Sequence, residues 1–376
     1  MSFRGLTWDH PRGRNALEAA RARGRPVVWD AQPLEGFESA PIGELCARYD
    51  LVVLDHPHLG EALARGCLRP LDEVFAPADL AAISARAIGL SMESYVMGGR
   101  AWALPLDAAS QVMARRPDLL GTAPVTWDEV AAISRHTGKV ALSLAGPHAF
   151  LSFLSVAQAM DPAPWLRDGD RWLAPDLAAR AIALLADLAA RSPASVAALN
   201  PIGISDHMSG GHDDVMLCPL IYGYVTYAAP TRATPLAFSD APRIAVGRPP
   251  GSILGGTGIA ISTRAEVDDV LRDHLLWLMS PEAQTGFIPD HEGQPGTRAA
   301  WADPRVNAAT GGFFAATAAT LEAASIRPRH DGYIAFQGAA SAALREGFAA
   351  GTAPERLATE LEALFHASHE KKDALA

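Results

Sequence analysis

The sequence predicts an α/β protein of two lobes. Three observations point there: the length of the chain, an alternation of strand and helix patterns over its first third, and a helix-rich middle that gives way to new strand patterns. At 376 residues the chain exceeds the roughly 250–300 residues at which one hydrophobic core stops growing. Its composition, 49% apolar and 20% charged, is that of a globular protein.

Residues 3–8 read as a strand ended by Asp9-His10-Pro11-Arg12-Gly13, and a helix is expected over 15–23. A second strand covers 26–30, a second helix 43–48, and Leu51-Val52-Val53-Leu54 is an apolar run bounded by polar residues, the pattern of a strand buried on both faces. It ends in Asp55-His56-Pro57-His58. Strand–helix–strand alternation means crossover connections and a parallel sheet, with the ligand crevice beyond the carboxyl ends of the strands. Both Asp-His-Pro segments lie at such ends. Thr126 and Glu129 have the spacing of a capping box opening a helix at Trp127, and helices continue over 149–159 and 177–190. A polar, glycine-rich connection over 205–214 leads to a strand at 215–220, and Pro249-Pro250-Gly251 precedes a strand over 255–261. Helices are expected at 265–279, 313–324, 333–348 and 354–365.

Composition removes several function classes. The net charge is −10, from 32 Lys+Arg against 42 Asp+Glu. With no basic run longer than Arg115-Arg116 or Lys371-Lys372, the chain has no electrostatic footprint for nucleic acid. Cys46, Cys67 and Cys218 are too few and scattered for a disulfide framework, and without a C-x-x-C they form no thiolate zinc site. No stretch approaches the ~18 apolar residues of a membrane span. The first twenty residues carry charges throughout and no apolar core of a signal peptide. The expected location is periplasmic if an export signal was trimmed upstream, cytoplasmic if Met1 is the native start.

Several segments resemble the carbohydrate-type ABC-transporter solute-binding proteins, the broad family that includes maltose-binding proteins. They are Gly98-Gly99-Arg100-Ala101-Trp102-Ala103-Leu104-Pro105, then Asp118-Leu119-Leu120 with Pro124-Val125-Thr126-Trp127-Asp128-Glu129, then Gly255-Gly256-Thr257-Gly258-Ile259-Ala260-Ile261, Ser280-Pro281-Glu282-Ala283-Gln284, and Gly293-Gln294-Pro295-Gly296-Thr297-Arg298. The resemblance covers roughly residues 95–300. The Asp-His-Pro loops are not general to that family. The resemblance implies a two-lobed, periplasmic-binding-protein-like (type II) fold, with lobe 1 holding 1–107 and 243–305 and lobe 2 holding 108–242 and 306–376. It also implies a small polar ligand (a sugar, polyol or organic acid) captured by lobe closure, an ABC permease as partner, a monomer, and no cofactor.

The candidate ligand-binding residues are Trp8, Asp9, His10, Arg12, Asp55, His56, His58, Asp107, Tyr222, Tyr224, Gly256, Arg298 and Tyr333. The paired loops bring carboxylates, imidazoles and a guanidinium together; the plainer alternative is that Asp and His cap the following helices and Pro starts them. Their spacing lacks the H-x-x-x-H of a helical metal site, and no metal is expected. Trp8, Trp29, Tyr95, Trp102, Tyr222 and Tyr224 offer flat faces to a sugar; Trp8, Tyr222 and Tyr224 adjoin turns, while Trp29 and Trp102 lie within strand patterns and are as readily core. The resemblance places Tyr333 as a cleft-facing ring at the start of a late helix. Gly256 lies in a glycine-rich stretch that lacks the ending of a phosphate loop, and Arg298 suits a carboxylate. The alternative function is a cytosolic enzyme with Cys218 as nucleophile and a loop His or Asp as base; against it, Cys218 lies in an apolar strand pattern, where thiols are inert.

Overall fold

The computed structural model describes residues 2–23, 25–162 and 172–370; Met1 and the Lys371-Lys372 pair fall outside them. From the N-terminus run β1 (Phe3–Trp8), α1 (Pro11–Ala22), β2 (Val27–Gln32), α2 (Leu34–Ser39), α3 (Ile42–Arg48), β3 (Leu51–Leu54), α4 (Leu59–Ala64), β4 (Leu68–Arg69), α5 (Pro77–Arg86), a hairpin of β5 (Val96–Met97) and β6 (Arg100–Ala101), and the long β7 (Ala103–Arg115). Then come α6 (Trp127–Thr137), α7 (His148–Met160), α8 (Pro175–Ala189), α9 (Pro201–Ser209), β8 (Leu217–Tyr222), β9 (Ala237–Ser239) and β10 (Leu254–Ser262). The chain closes with α10 (Asp269–Leu278), α11 (Ile288–Asp290), α12 (Arg298–Ala302), α13 (Pro304–Ala309), α14 (Phe313–Ala323), α15 (Tyr333–Ala350) and α16 (Pro354–Glu370).

Two compact units divide these elements. The first comprises Met1–Ala109, Gly255–Ala308 and Arg329–Asp331, the second Ser110–Leu254, Ala309–Pro328 and Gly332–Ala376. Against the division expected from sequence, 243–254 lie in the second unit, and 108–109, 306–308 and 329–331 in the first.

In the first unit the strand order is β2-β1-β3-β10, with β4 on β10. β1 runs parallel to β2 and β3, as the strand–helix alternation requires. β10 enters antiparallel, pairing Gly258 with Leu54 and Ile261 with Leu51. The apolar run of β3 is buried along its whole length, and Leu6, Val52, Leu54, Leu59, Tyr95 and Ala260 share its core. α1 begins at Pro11, four residues before the sequence expectation. His10 is in extended conformation (φ −151°, ψ 146°) and caps it, and Pro sits where a helix needs no N–H.

In the second unit, the far half of β7 pairs antiparallel with β8 (Gln111 opposite Tyr222) and with β9 (Met113 opposite Ser239). Trp127, Phe150, Phe153, Phe336 and Phe365, from α6, α7, α15 and α16, fill the core. Thr126 and Glu129 form the anticipated capping box, and Gly138 ends α6 at φ 64°. The segment 205–214 is not all connection: α9 runs through its first half, capped by Asn200, whose side chain accepts from Gly203 N at 2.9 Å. The Asn-Pro start signal outweighs the glycines that follow it. β8 starts at Leu217, two residues after the expected position.

Candidate functional site

At the carboxyl end of β1 the chain turns into α1 through His10. Its Nδ1 accepts the Arg12 N–H at 3.1 Å. A backbone amide only donates, so Nδ1 is the unprotonated nitrogen and the neutral ring carries its proton on Nε2. The ring stacks on Trp8, with centroids 5.3 Å apart and planes 9° from parallel. Trp8 is a buried hub: the Arg12 guanidinium lies 5.6 Å from its ring centre, Phe37 packs at 5.8 Å, and a Cβ on Gly13 would fall 2.3 Å from its indole nitrogen. Glycine at 13 is therefore required by the close approach of the indole.

Arg12 and Asp107 form a bidentate ion pair, Nε to Oδ2 at 2.8 Å and Nη2 to Oδ1 at 2.5 Å, with both side chains at most 6% exposed. Burial holds the Asp107 carboxyl above its ordinary value; the Arg12 guanidinium opposes that, and the charge of Asp55 adds to it. A planar guanidinium met in fork geometry is rigidly placed. The pair thus fixes the first turn of α1, and His10 with it, against β7.

The second loop caps in a different register. Asp55 accepts the His56 N–H at 2.8 Å and lies 3.0 Å from His56 Nδ1. His56 is fully buried and meets Tyr95 edge-on, centroids 6.4 Å apart, while the Tyr95 hydroxyl donates to Leu54 O at 3.2 Å. His58 Nε2 lies 3.2 Å from Phe37 O, which accepts, so this nitrogen carries the proton. Through Phe37 the second loop reaches Trp8.

Gly256 has φ +100°, and a Cβ there would meet Asp107 O at 2.4 Å. It brings β10 against the acidic end of the pair, which no L side chain would permit. The structure thus gathers Trp8, His10, Arg12, Asp55, His56, His58, Asp107 and Gly256 at the carboxyl ends of β1 and β3. Asp9 instead faces outward, paired with Arg14 at 2.7 Å. Arg298 is exposed at the first position of α12.

In the second unit Tyr222 ends β8, half-buried and edge-on to His148 at 5.9 Å. Opposite Tyr222 lies Gln111, fully buried, donating to Ser152 Oγ at 3.3 Å and accepting from Ser155 Oγ at 2.6 Å. Tyr224 is buried and packs edge-on with Tyr227, whose hydroxyl donates to Asp206 at 2.7 Å. Tyr333 begins α15 after Gly332 (φ 100°), wholly buried against Phe336. Cys218 is wholly buried, and burial pushes its thiol up to about 12. A thiol protonated at neutral pH is a poor nucleophile, so the alternative that relied on Cys218 finds no support in its surroundings. Among the described residues no group of three or more metal-ligating side chains occurs, and no helix is long and apolar enough to cross a membrane.

Sequence reasoning named Tyr95 among the candidate rings but missed Gln111 and His148 as neighbours of these groups. Gln111 and His148 are polar residues set among the apolar ones of β7 and α7, and the Pro147-His148 helix start marked just one of them. It also missed Arg329, which donates to Ser94 O and Val96 O at 2.8 Å each. Gly60 is its trace in the sequence: a Cβ there would fall 2.0 Å from Arg329 O.

The sequence profile of the family described as bacterial extracellular solute-binding protein matches residues 43–314. No curated protein matches the chain. Among solved structures, an ABC transporter solute-binding protein from Agrobacterium radiobacter K84 in complex with ribitol is similar, with 20% identity and a TM-score of 0.78 over 97% of this chain and 98% of that one. So is maltose-bound MalE3 of T. maritima (16% identity, TM-score 0.77, 97% and 98%). A third is a solute-binding protein of Thermotoga lettingae TMO bound with α-D-tagatose (14%, 0.76, 98% and 99%).

Proposed function

Because the chain belongs to the bacterial extracellular solute-binding protein family, we propose that it captures a small neutral polyhydroxylated solute, a polyol or a sugar, for an ABC importer. The fold is that of two-lobed, type II periplasmic binding proteins. Such a protein needs no bond-breaking chemistry. It works by differential affinity, the solute favouring the closed arrangement of the lobes over the open one.

The observation that carries the reading is the neutralised guanidinium of Arg12. An organic acid needs an uncompensated cation, yet the charge of this guanidinium is balanced by the Asp107 carboxylate, which takes its Nε–H and one Nη2–H. The cluster offers directional groups instead: the imidazole of His10, held in place by its own cap and by Trp8, and, at the end of β3, the carboxylate of Asp55. Fixed donors and acceptors next to flat rings suit hydroxyls and C–H faces. Tyr222 and His148 in the second unit are of the same character. Structural relatives hold ribitol, D-mannitol, α-D-tagatose and maltose, which supports the same ligand class here. We read the protein as a monomer without nucleic-acid partners, in line with its net charge of −10.

The test is a thermal-shift screen of polyols, mono- and disaccharides and hydroxy acids. A binder present at 100 times its Kd stabilises the fold by about 2.7 kcal/mol. A neutral polyol or sugar is expected to raise the melting temperature, to be recovered unchanged, to reduce the radius of gyration, and to bind the Cys218→Ala protein as well as the parent. A hydroxy acid as the only binder, or consumption of the solute, overturns the reading.

A further inference from the structure

For three residues, Arg329–Asp331, the late chain returns to the first unit, while 309–328 and 332–376 on either side belong to the second. Arg329 is buried, 5% exposed, and a charge so placed persists only where polar atoms converge on it. Here they are backbone carbonyls: its Nη1 donates to Ser94 O and Val96 O at 2.8 Å each and to Glu93 O at 3.3 Å. These carbonyls close the short 3-10 turn Glu93–Tyr95, which leaves its last acceptors to side chains, and two of them flank Tyr95. Tyr95 is itself fastened further on. Its hydroxyl donates to Leu54 O at 3.2 Å and its ring meets His56 edge-on at 6.4 Å. A Cβ on Gly258 would lie 2.8 Å from Tyr95 Cζ, so β10 leaves the ring no slack. The backbone of the same three residues lies against Gly60, where a Cβ would fall 2.0 Å from Arg329 O and 2.6 Å from Asp331 N. One segment therefore grips the second loop twice, through Tyr95 at His56 and through Gly60 just after His58.

We propose that Arg329 is a positioning residue for the solute site: it holds Tyr95, and Tyr95 holds the Leu54 carbonyl and the His56 ring at the end of β3. The proposal rests on the reading of that loop as part of a solute-binding site. A guanidinium suits the task, because its donors leave a planar group in fixed directions and it stays charged at every working pH. Asp55 follows Leu54 directly, so a displacement of Tyr95 reaches the cap of the second loop as well as its ring. The first loop has a fastening of its own in the Arg12–Asp107 pair.

The experiment reads the His56 imidazole cross-peaks in a long-range proton–nitrogen spectrum of the full chain without solute, assigned by their loss in His56→Gln. In Arg329→Met they are expected to shift or broaden while those of His274 on α10 stay in place. In Arg329→Lys, which keeps a cation with several donors, they should return to the parent positions. Tyr95→Phe, which removes only the bond to Leu54 O, should move them too, and it decides the matter if Arg329→Met fails to fold. Calorimetry with ribitol and D-mannitol as probes then measures affinity, expected to fall about tenfold in Arg329→Met, the scale of one lost polar contact, and to recover in Arg329→Lys. Three results would overturn the proposal: His56 signals unmoved in both variants, His56 signals that move together with those of His274, or unchanged affinity in Arg329→Met for a probe that the parent binds. A parent that binds neither probe yet shows the selective His56 displacement supports the positioning and counts against the solute reading alone.

Discussion

The tripeptide Asp-His-Pro occurs twice in the first unit, after β1 and after β3, and the two copies do different work. After β1 the histidine is the cap: His10 accepts from Arg12 N, and Asp9 is left outside with Arg14. After β3 the aspartate is the cap: Asp55 accepts from His56 N, and His56 is driven inward against Tyr95. A shift of one residue in capping register therefore decides which polar group is spent on the backbone. The course of the chain beyond the tripeptide sets that register. In the first copy Arg12 must reach Asp107 in a full α-helix, whereas in the second the chain passes through a short 3-10 turn at His56–His58 before α4. Identical local sequence yields one loop anchored by an ion pair and one anchored by packing.

The sharpest way to break that comparison is to remove the anchor of the first loop. Arg12→Ala leaves Asp107 buried and unpaired, and loss of one partner of such a pair costs about 3–5 kcal/mol. Urea unfolding should show that loss. Arg12→Met combined with Asp107→Leu should recover most of the stability, since apolar side chains of similar volume replace buried pairs at little cost. Solute binding should not return in the double variant if the pair serves to hold His10. Recovery of both would reduce the pair to packing.

A histidine outside both loops provides the contrast in pH dependence. His274 on α10 is 1% exposed, and neither ring nitrogen has a hydrogen-bond partner among the described residues. Burial, with Arg25 adding to it, lowers its pKa to about 4 from the ordinary 6.5. The folded state thus resists a proton that the unfolded chain accepts. Stability from this residue is complete above pH 6.5 and is lost as pH falls from 6.5 through about 4, by roughly 3 kcal/mol at 1.36 kcal/mol per unit. Chemical denaturation at pH 7 and at pH 4.5 should show the fall, and His274→Leu should flatten it. An unchanged pH profile in that variant would place the acid sensitivity elsewhere, with the loop histidines first in line.

Much of this arrangement is written in local sequence, and the remainder depends on distance along the chain. The strands β1 and β3, the box at Thr126 and Glu129, and the gathering of both Asp-His-Pro loops at strand ends come from periodicity and cap chemistry, which act over a few residues. The role of Trp8 does not. A turn-adjacent indole suggests a ligand platform, but here one neighbour is the His10 ring and another the Arg12 guanidinium, and the tell-tale is Gly13, legible only once the indole is in place. Arg12 to Asp107 spans 95 residues, and Arg329 to Ser94 spans 235. No spacing rule encodes partners so far apart; a long-range fold has to bring them together first.

The finest test compares the two caps while leaving both in place. Asn is as good an N-cap as the residues it would replace, so Asp55→Asn should keep stability within about 0.5 kcal/mol, while His10→Asn keeps the cap but gives up the ring stacked on Trp8 and should cost about 0.5–1.5 kcal/mol. Their effects on binding should differ. His10→Asn removes the Nε2–H offered to the solute, and loss of one buried polar contact costs about 1–3 kcal/mol, or roughly five- to a hundredfold in Kd. Asp55→Asn keeps the carbonyl oxygen that accepts His56 N–H and removes the negative charge 3.0 Å from His56 Nδ1, so affinity should fall only a few-fold. Titration calorimetry with the solute found in the screen measures both. A larger loss from Asp55→Asn would move the principal hydroxyl contact to the second loop, and the register shift would then favour the aspartate that caps over the histidine that does.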